Sequence, residues 1–103
     1  MTLTMTQTIT PIDFAEYDVQ IELPNGELYV KNYKRSNEVH PAYRTLMIVL
    51  RAYDDVAIHV KTNCKPLATE FNAVVENPNA ALLRNLKSVI ARHNLDVTVE
   101  YAS

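Results

Sequence analysis

The chain has 103 residues, with 10 Lys and Arg against 12 Asp and Glu and a formal charge of -2. It is sized for one domain and is no histone-like cationic binder, although a local basic patch remains open to it. Apolar residues make up 48% and charged residues 21%, a balance that can supply a core and excludes a disordered chain. One glycine rules out a glycine-rich phosphate loop, and one cysteine, Cys64, leaves no disulfide within the chain, which fits a reducing, cytoplasmic setting.

The first residues carry no Lys or Arg, and the longest apolar stretch, Leu46 to Leu50, is far too short to cross a bilayer. Neither a secretory signal nor a membrane partner is expected, and one continuous domain over 1–103 is. Thr2, Thr4, Thr6, Thr8 and Thr10 alternate with Leu3, Met5, Gln7 and Ile9, the period of a strand. Pro11 should end that strand or mark an edge.

Tyr17, Val19, Ile21 and Leu23 alternate with polar residues, and Leu28 and Val30 resume the alternation after Asn25-Gly26. Asn-Gly suits the two positive-φ positions of a type I′ turn, so a hairpin is expected from about 17 to 33. Pro41 fits the first turn of a helix. Ala42, Leu46, Val49, Leu50 and Tyr53 recur at helical spacing from 41 to 53.

Asp54-Asp55 reads as a turn, and Val56, Ile58 and Val60 as a short strand. Asn63 or Cys64 stands where a cap belongs before Lys65-Pro66. Leu67, Phe71, Val74 and Val75 face one way on the next helix, and Asn77-Pro78-Asn79 stops it. Leu82, Leu86, Val89, Ile90 and His93 mark a last helix from 80 to 93, and Val97, Val99 and Tyr101 a last strand. The order β-β-β-α-β-α-α-β predicts an α+β (mixed α/β) domain with a five-stranded mixed sheet and three helices packed on it.

Two stretches carry a resemblance. The helix Tyr43-Arg44-Thr45-Leu46-Met47-Ile48-Val49-Leu50-Arg51-Ala52-Tyr53 runs into Val56-Ala57-Ile58-His59-Val60-Lys61-Thr62-Asn63-Cys64. Asn85 to Asn94 then leads into Val97-Thr98-Val99-Glu100-Tyr101. With the element order, these resemble the ribonuclease H-like fold family over roughly residues 17–101. That family cleaves the RNA of hybrids with two metal ions held by clustered carboxylates.

The resemblance also implies what is missing. Asn63 stands where the family has a strand-end Asp. Ala42 or Tyr43 falls near the position of its helix Glu. Asp13 is the nearest counterpart of its first-strand Asp, and the sequence ends before the helix carrying its last one. The expectation is a shortened, non-catalytic member with no catalytic residue, no metal and no cofactor, acting as a scaffold or nucleic-acid track. A residual metal-dependent nuclease using Asp13 and Glu38 is a third reading.

Other chemistry is sparse. Cys64, near Lys61, Lys65 and a helix start, is either a lowered-pKa nucleophile or a small buried residue. His40, His59 and His93 lack the spacing of a zinc site. His93 reads as packed or capping, and His59 has no evident partner.

The functional patch expected is basic. Lys31, Lys34 and Arg35 lie at one hairpin end with Tyr29 and Tyr33 interleaved, and Lys61 and Lys65 flank Asn63. Cations for phosphates and aromatics for stacking are the parts of a nucleic-acid surface. Lys31, Tyr33, Lys34, Arg35, Lys61, Asn63 and Lys65 are therefore the candidate binding residues for RNA, DNA or an RNA–DNA hybrid, with Tyr33 stacking. The same cations also read as a solvated face. The alternative function is a protein-interaction module, such as a phage or mobile-element accessory protein. It would use Ile48, beside Arg44 and Arg51, as an anchor, or pair its first strand across a homodimer.

Overall fold

The computed structural model describes residues 2–73 and 79–102. The elements are β1 (Thr2–Asp13), β2 (Glu16–Glu22), β3 (Leu28–Tyr33), α1 (Val39–Leu50), β4 (Ala57–Thr62), α2 (Lys65–Asn72), α3 (Ala80–Arg92) and β5 (Asp96–Tyr101). The strands form one mixed sheet in the order β3-β2-β1-β4-β5. β1 runs antiparallel to β2 and β2 to β3, whereas β4 lies parallel to β1 and β5 to β4. This is the α+β architecture with five strands and three helices that the alternation and helical spacing predict. The expectations for Val74, Val75, Asn77 and Pro78 lie outside the described residues.

The period of two decides which face is buried. Met5, Gln7 and Ile9 of β1, Val19 and Ile21 of β2, Ile58, Val60 and Thr62 of β4 and Val99 of β5 are buried against the helices. Ala42, Tyr43, Leu46 and Leu50 of α1, Leu67 of α2 and Leu86 and Val89 of α3 close the core from the other side. The alternate residues, including all five threonines of β1, are exposed. The molecule is thus two layers, with helices on one face of the sheet and the other face left open.

Polar groups fasten the layers where apolar contact alone would not fix them. Buried Gln7 donates to the Ala42 carbonyl at 2.9 Å and accepts from the Thr62 hydroxyl at 2.6 Å, joining β1, α1 and β4. The Tyr43 hydroxyl donates to Glu70 at 2.8 Å, and Asn79 donates to the same carboxylate at 3.0 Å. Burial and this carboxylate hold the Tyr43 phenol well above the usual tyrosine range.

Pro11 marks an edge, as expected, and two other local expectations are corrected. β1 continues through Pro11 to Asp13. The Ile9 backbone faces the β4 side, where it meets Asn63, so Pro11, two residues on, turns its missing N–H to that side too. β4 pairs with β1 only as far as Gln7 opposite Thr62, so no strand there needs the lost donor.

The β2–β3 turn is not a two-residue Asn-Gly turn. Gly26 N–H donates to the Leu23 carbonyl, and Leu23 N–H to the Glu27 carbonyl, which puts Pro24 and Asn25 at the corners. Only Gly26 takes positive φ there, at +88°, the pattern of a three-residue hairpin loop. Pro24 presets the first corner. Finally, α1 begins at Val39 because the Asn37 carboxamide oxygen accepts from the Val39 and His40 N–H groups, both at 2.9 Å.

Candidate functional site

The basic residues separate onto different surfaces. Lys31 pairs with Val19, and Tyr33 with Tyr17, so both side chains lie on the helix-bearing face. Lys61 pairs with Thr6 and Glu100 and stands on the open face. Asp18, Glu22, Asp96 and Glu100 project from that same open face. The open face is therefore acidic around one lysine, although the whole chain carries only two net negative charges. Lys65 is exposed at the start of α2. Lys34 and Arg35 are exposed in the loop before α1, which is tied to the β1–β2 turn by Ser36 N–H donating to the Ala15 carbonyl. The seven residues singled out in the sequence do not form one surface.

A different set of cations does come together. Lys31 and Tyr33 of β3 line a cavity of about 280 Å³ with Arg44, Met47, Ile48 and Arg51 of the α1 side. Helical geometry explains the set, because Arg44, Met47 and Arg51 follow at i, i+3 and i+7 and share one stripe. Among the described residues the cavity lining holds three cations and no carboxylate. The ion pairs among those residues are His59–Glu100 and His93–Asp54, and no Lys or Arg reaches a described carboxylate. Arg51 is the C-cap residue of α1, where the helix dipole favours a cation. That local reason does not extend to Arg44 in mid-helix or to Lys31 on a strand.

Tyr33 has contacts of its own. Its hydroxyl is 2.8 Å from Thr45 Oγ1, and the Lys31 ammonium lies 5.5 Å from its ring centroid. The contact suits a cation over an aromatic face. Tyr33 thus sits with Lys31 at the cavity wall, its hydroxyl held by Thr45.

Asn63 is committed too. Its carboxamide oxygen accepts from the Ile9 N–H at 2.8 Å, and its amide nitrogen donates to the Ile9 carbonyl at 3.0 Å. The side chain imitates one more residue of β4 and extends the ladder past Thr62. It is neither a helix cap nor a pocket group, and α2 starts with no side-chain cap at Cys64.

The remaining candidates resolve in the same way. Cys64 is buried, with its thiol 3.9 Å from the Glu38 carbonyl, and burial pushes that thiol up. His59 does have partners, with Nδ1 2.6 Å from Thr98 Oγ1 and Nε2 2.7 Å from Glu100. Hydrogen bonding to His59 holds the Glu100 carboxyl below its ordinary range. His93 bonds Asp54 at 2.8 Å and Asn94 bonds Asp55 at 2.8 Å, closing the α1–β4 turn onto the end of α3. Asp13 accepts from the Phe14 N–H at 2.7 Å. No group of three or more His, Cys, Asp or Glu among the described residues could hold a metal ion.

Ile48 is half-buried. It lines the basic cavity and also an apolar cleft of about 190 Å³ with Leu23, Tyr29, Val49, Ala52 and Tyr53. Among the described residues no helix is long and apolar enough to cross a membrane. Compared with known proteins, the chain matches no family model and no curated sequence.

Proposed function

We propose that the chain is a non-catalytic, ribonuclease H-like binding module that docks the phosphate backbone of a nucleic acid between β3 and α1. The observation that carries this reading is the cavity of Lys31, Arg44 and Arg51, three cations with no ion-pair partner among the described residues. Like charges brought together without a counter-charge favour a bound anion. Arg44 and Arg51 lie along one helix stripe with Lys31 on the strand beside it, which suits a string of anions rather than a single one. The acidic open face on the other side of the sheet would repel the same polyanion and so orient it.

The ribonuclease H-like part of the reading rests on the order of elements and on the hairpin followed by two parallel strands. The non-catalytic part rests on Asn63 and Asp13, each engaged by backbone where the family's metal ligands would stand.

The test is an electrophoretic shift series with duplex DNA, duplex RNA and an RNA–DNA hybrid. The variants are K31E/R44E and, from the open face, K61E. Removing two phosphate contacts should lower affinity more than about tenfold at 0.1 M salt and flatten the salt dependence, while K61E should bind at least as well as the natural chain. Equal weakening by K61E, or unchanged binding by K31E/R44E, would overturn the assignment. Metal-dependent cleavage by repurified protein would overturn the non-catalytic reading.

A further inference from the structure

A second cavity, of about 290 Å³, lies between α1 and α3 and is lined by Met47, Arg51, Asn85, Ser88, Val89 and Arg92. Met47 and Arg51 line both cavities, so the two are halves of one groove that crosses α1 from β3 to α3. We infer that this groove is a continuous track for the backbone of a double-stranded nucleic acid, recognised without base stacking and without sequence preference; the inference rests on the function proposed above.

Three features support the extension. First, α3 repeats the device of α1. Asn85, Ser88 and Arg92 follow at i, i+3 and i+7, as Arg44, Met47 and Arg51 do, so each helix turns one stripe to the groove, with two arginines about the buried Met47 on α1 and three polar residues on α3. Second, Asn85 and Ser88 are exposed, and among the described residues neither side chain has a hydrogen-bond partner. They add neutral donors to the cations Arg51 and Arg92, the mixture that meets phosphate and sugar oxygens. Among the described residues no carboxylate lines this half either.

Third, the geometry selects the ligand class. Single strands are held on exposed aromatic platforms. Among the described residues Tyr33 is the one aromatic lining either cavity, so there is no row of rings for successive bases, and the Lys31 ammonium lies 5.5 Å from its ring centroid. What the groove offers is charge at fixed spacing. Arg44 and Arg51 are seven residues apart, about 10.5 Å along the helix at 1.5 Å per residue. That spacing lets the two guanidinium groups meet two separate phosphates of one duplex.

The experiment is fluorescence anisotropy with labelled 20-base-pair DNA duplexes of two unrelated sequences, a 20-base-pair RNA duplex and a 20-nucleotide thymidine strand. The variants are R92Q and S88D on the α3 half, R44Q on the β3 half and K61Q on the open face, each checked for folding by circular dichroism. R92Q and R44Q should each weaken duplex binding about eightfold at 0.1 M salt and reduce the salt slope by about 0.9. S88D should weaken it at least as much, K61Q should leave it unchanged, and the two DNA sequences should bind alike. If R44Q weakens binding and both R92Q and S88D bind as the natural chain does, the track ends at Arg51 and this inference falls while the proposed function stands. If the thymidine strand binds as tightly as the duplexes, the duplex assignment falls. If R44Q has no effect, or no probe binds at low salt, the proposed function itself falls.

Discussion

Replacing Asn63 with Asp installs the residue that the ribonuclease H resemblance expects, and the structure predicts that the fold resists it. The present amide uses both of its ends on Ile9, accepting at 2.8 Å and donating at 3.0 Å. A carboxylate keeps the first bond and loses the second, and its second oxygen then faces the Ile9 carbonyl. Losing the donated bond costs about 1 kcal/mol, and an unmatched acceptor in a partly buried place costs about 1–3 kcal/mol. A stronger charge-assisted bond from the Ile9 N–H offsets part of this, which leaves a net loss of about 2 kcal/mol. For a domain of this size that lowers Tm by about 8–16 °C.

The loss should depend on pH. A protonated carboxyl can donate to the Ile9 carbonyl, so the folded state raises the pKa of the introduced carboxyl above its unfolded value of about 3.9. The deficit is then full above the raised folded pKa and shrinks as pH falls toward the unfolded value. Urea unfolding of N63D and the natural chain at pH 7 and pH 4, followed by circular dichroism, measures both effects. A stability within about 0.5 kcal/mol of the natural chain at pH 7 would refute the reasoning, because that is the range of a surface substitution without special contacts. So would a deficit that grows as the pH is lowered.

Burial keeps the Cys64 thiol protonated and covered, so iodoacetamide at pH 8 should leave it unmodified in the folded chain and alkylate it fully in urea, as read by mass spectrometry. Glu100 is held ionised to lower pH by its bond to His59, so the stability this bond contributes is present above the ordinary carboxylate range and is lost as pH falls through the lowered folded pKa. In H59N the Glu100 carboxyl should titrate at higher pH than in the natural chain, by NMR of its side-chain carbonyl. Lys61→Gln should leave the fold intact, since the side chain is exposed and forms no ion pair among the described residues; its Tm should stay within a few degrees of the natural value.

The strands and helices were legible because their signals are local. Five threonines at period two, the run Val19 to Leu23 and the recurrence of Ala42, Leu46, Val49 and Leu50 each report which side of an element is buried. The Asn25-Gly26 pair marked the right place and the wrong turn, because Pro24 fixes the corner one residue earlier. The partners of His59 were hidden because the register between β4 and β5 decides them, pairing His59 with Thr98 and Lys61 with Glu100.

The groove was half legible for the same reason. Lys31 and Tyr33 belong to it, but chain proximity joined them to Lys61 and Asn63, which the pleat and the Ile9 backbone claim for other purposes. Arg44 and Arg51 were visible only as neighbours of Ile48. Their spacing of seven residues, matched by Asn85 and Arg92, is the signal that would have found the site. That two such stripes face each other is a fact of helix packing, which no single segment contains.

The central claim is that phosphate binds across α1 and not on the open sheet. Amide chemical-shift mapping tests it most directly, by titrating a 20-base-pair duplex into isotope-labelled protein at low salt. The account predicts that shifts concentrate at Lys31, Arg44, Met47, Arg51, Ser88 and Arg92, while Thr4, Thr6, Thr8, His59 and Thr98 stay still. Shifts centred on the threonine face, or none along α1 with duplex in excess, would contradict it.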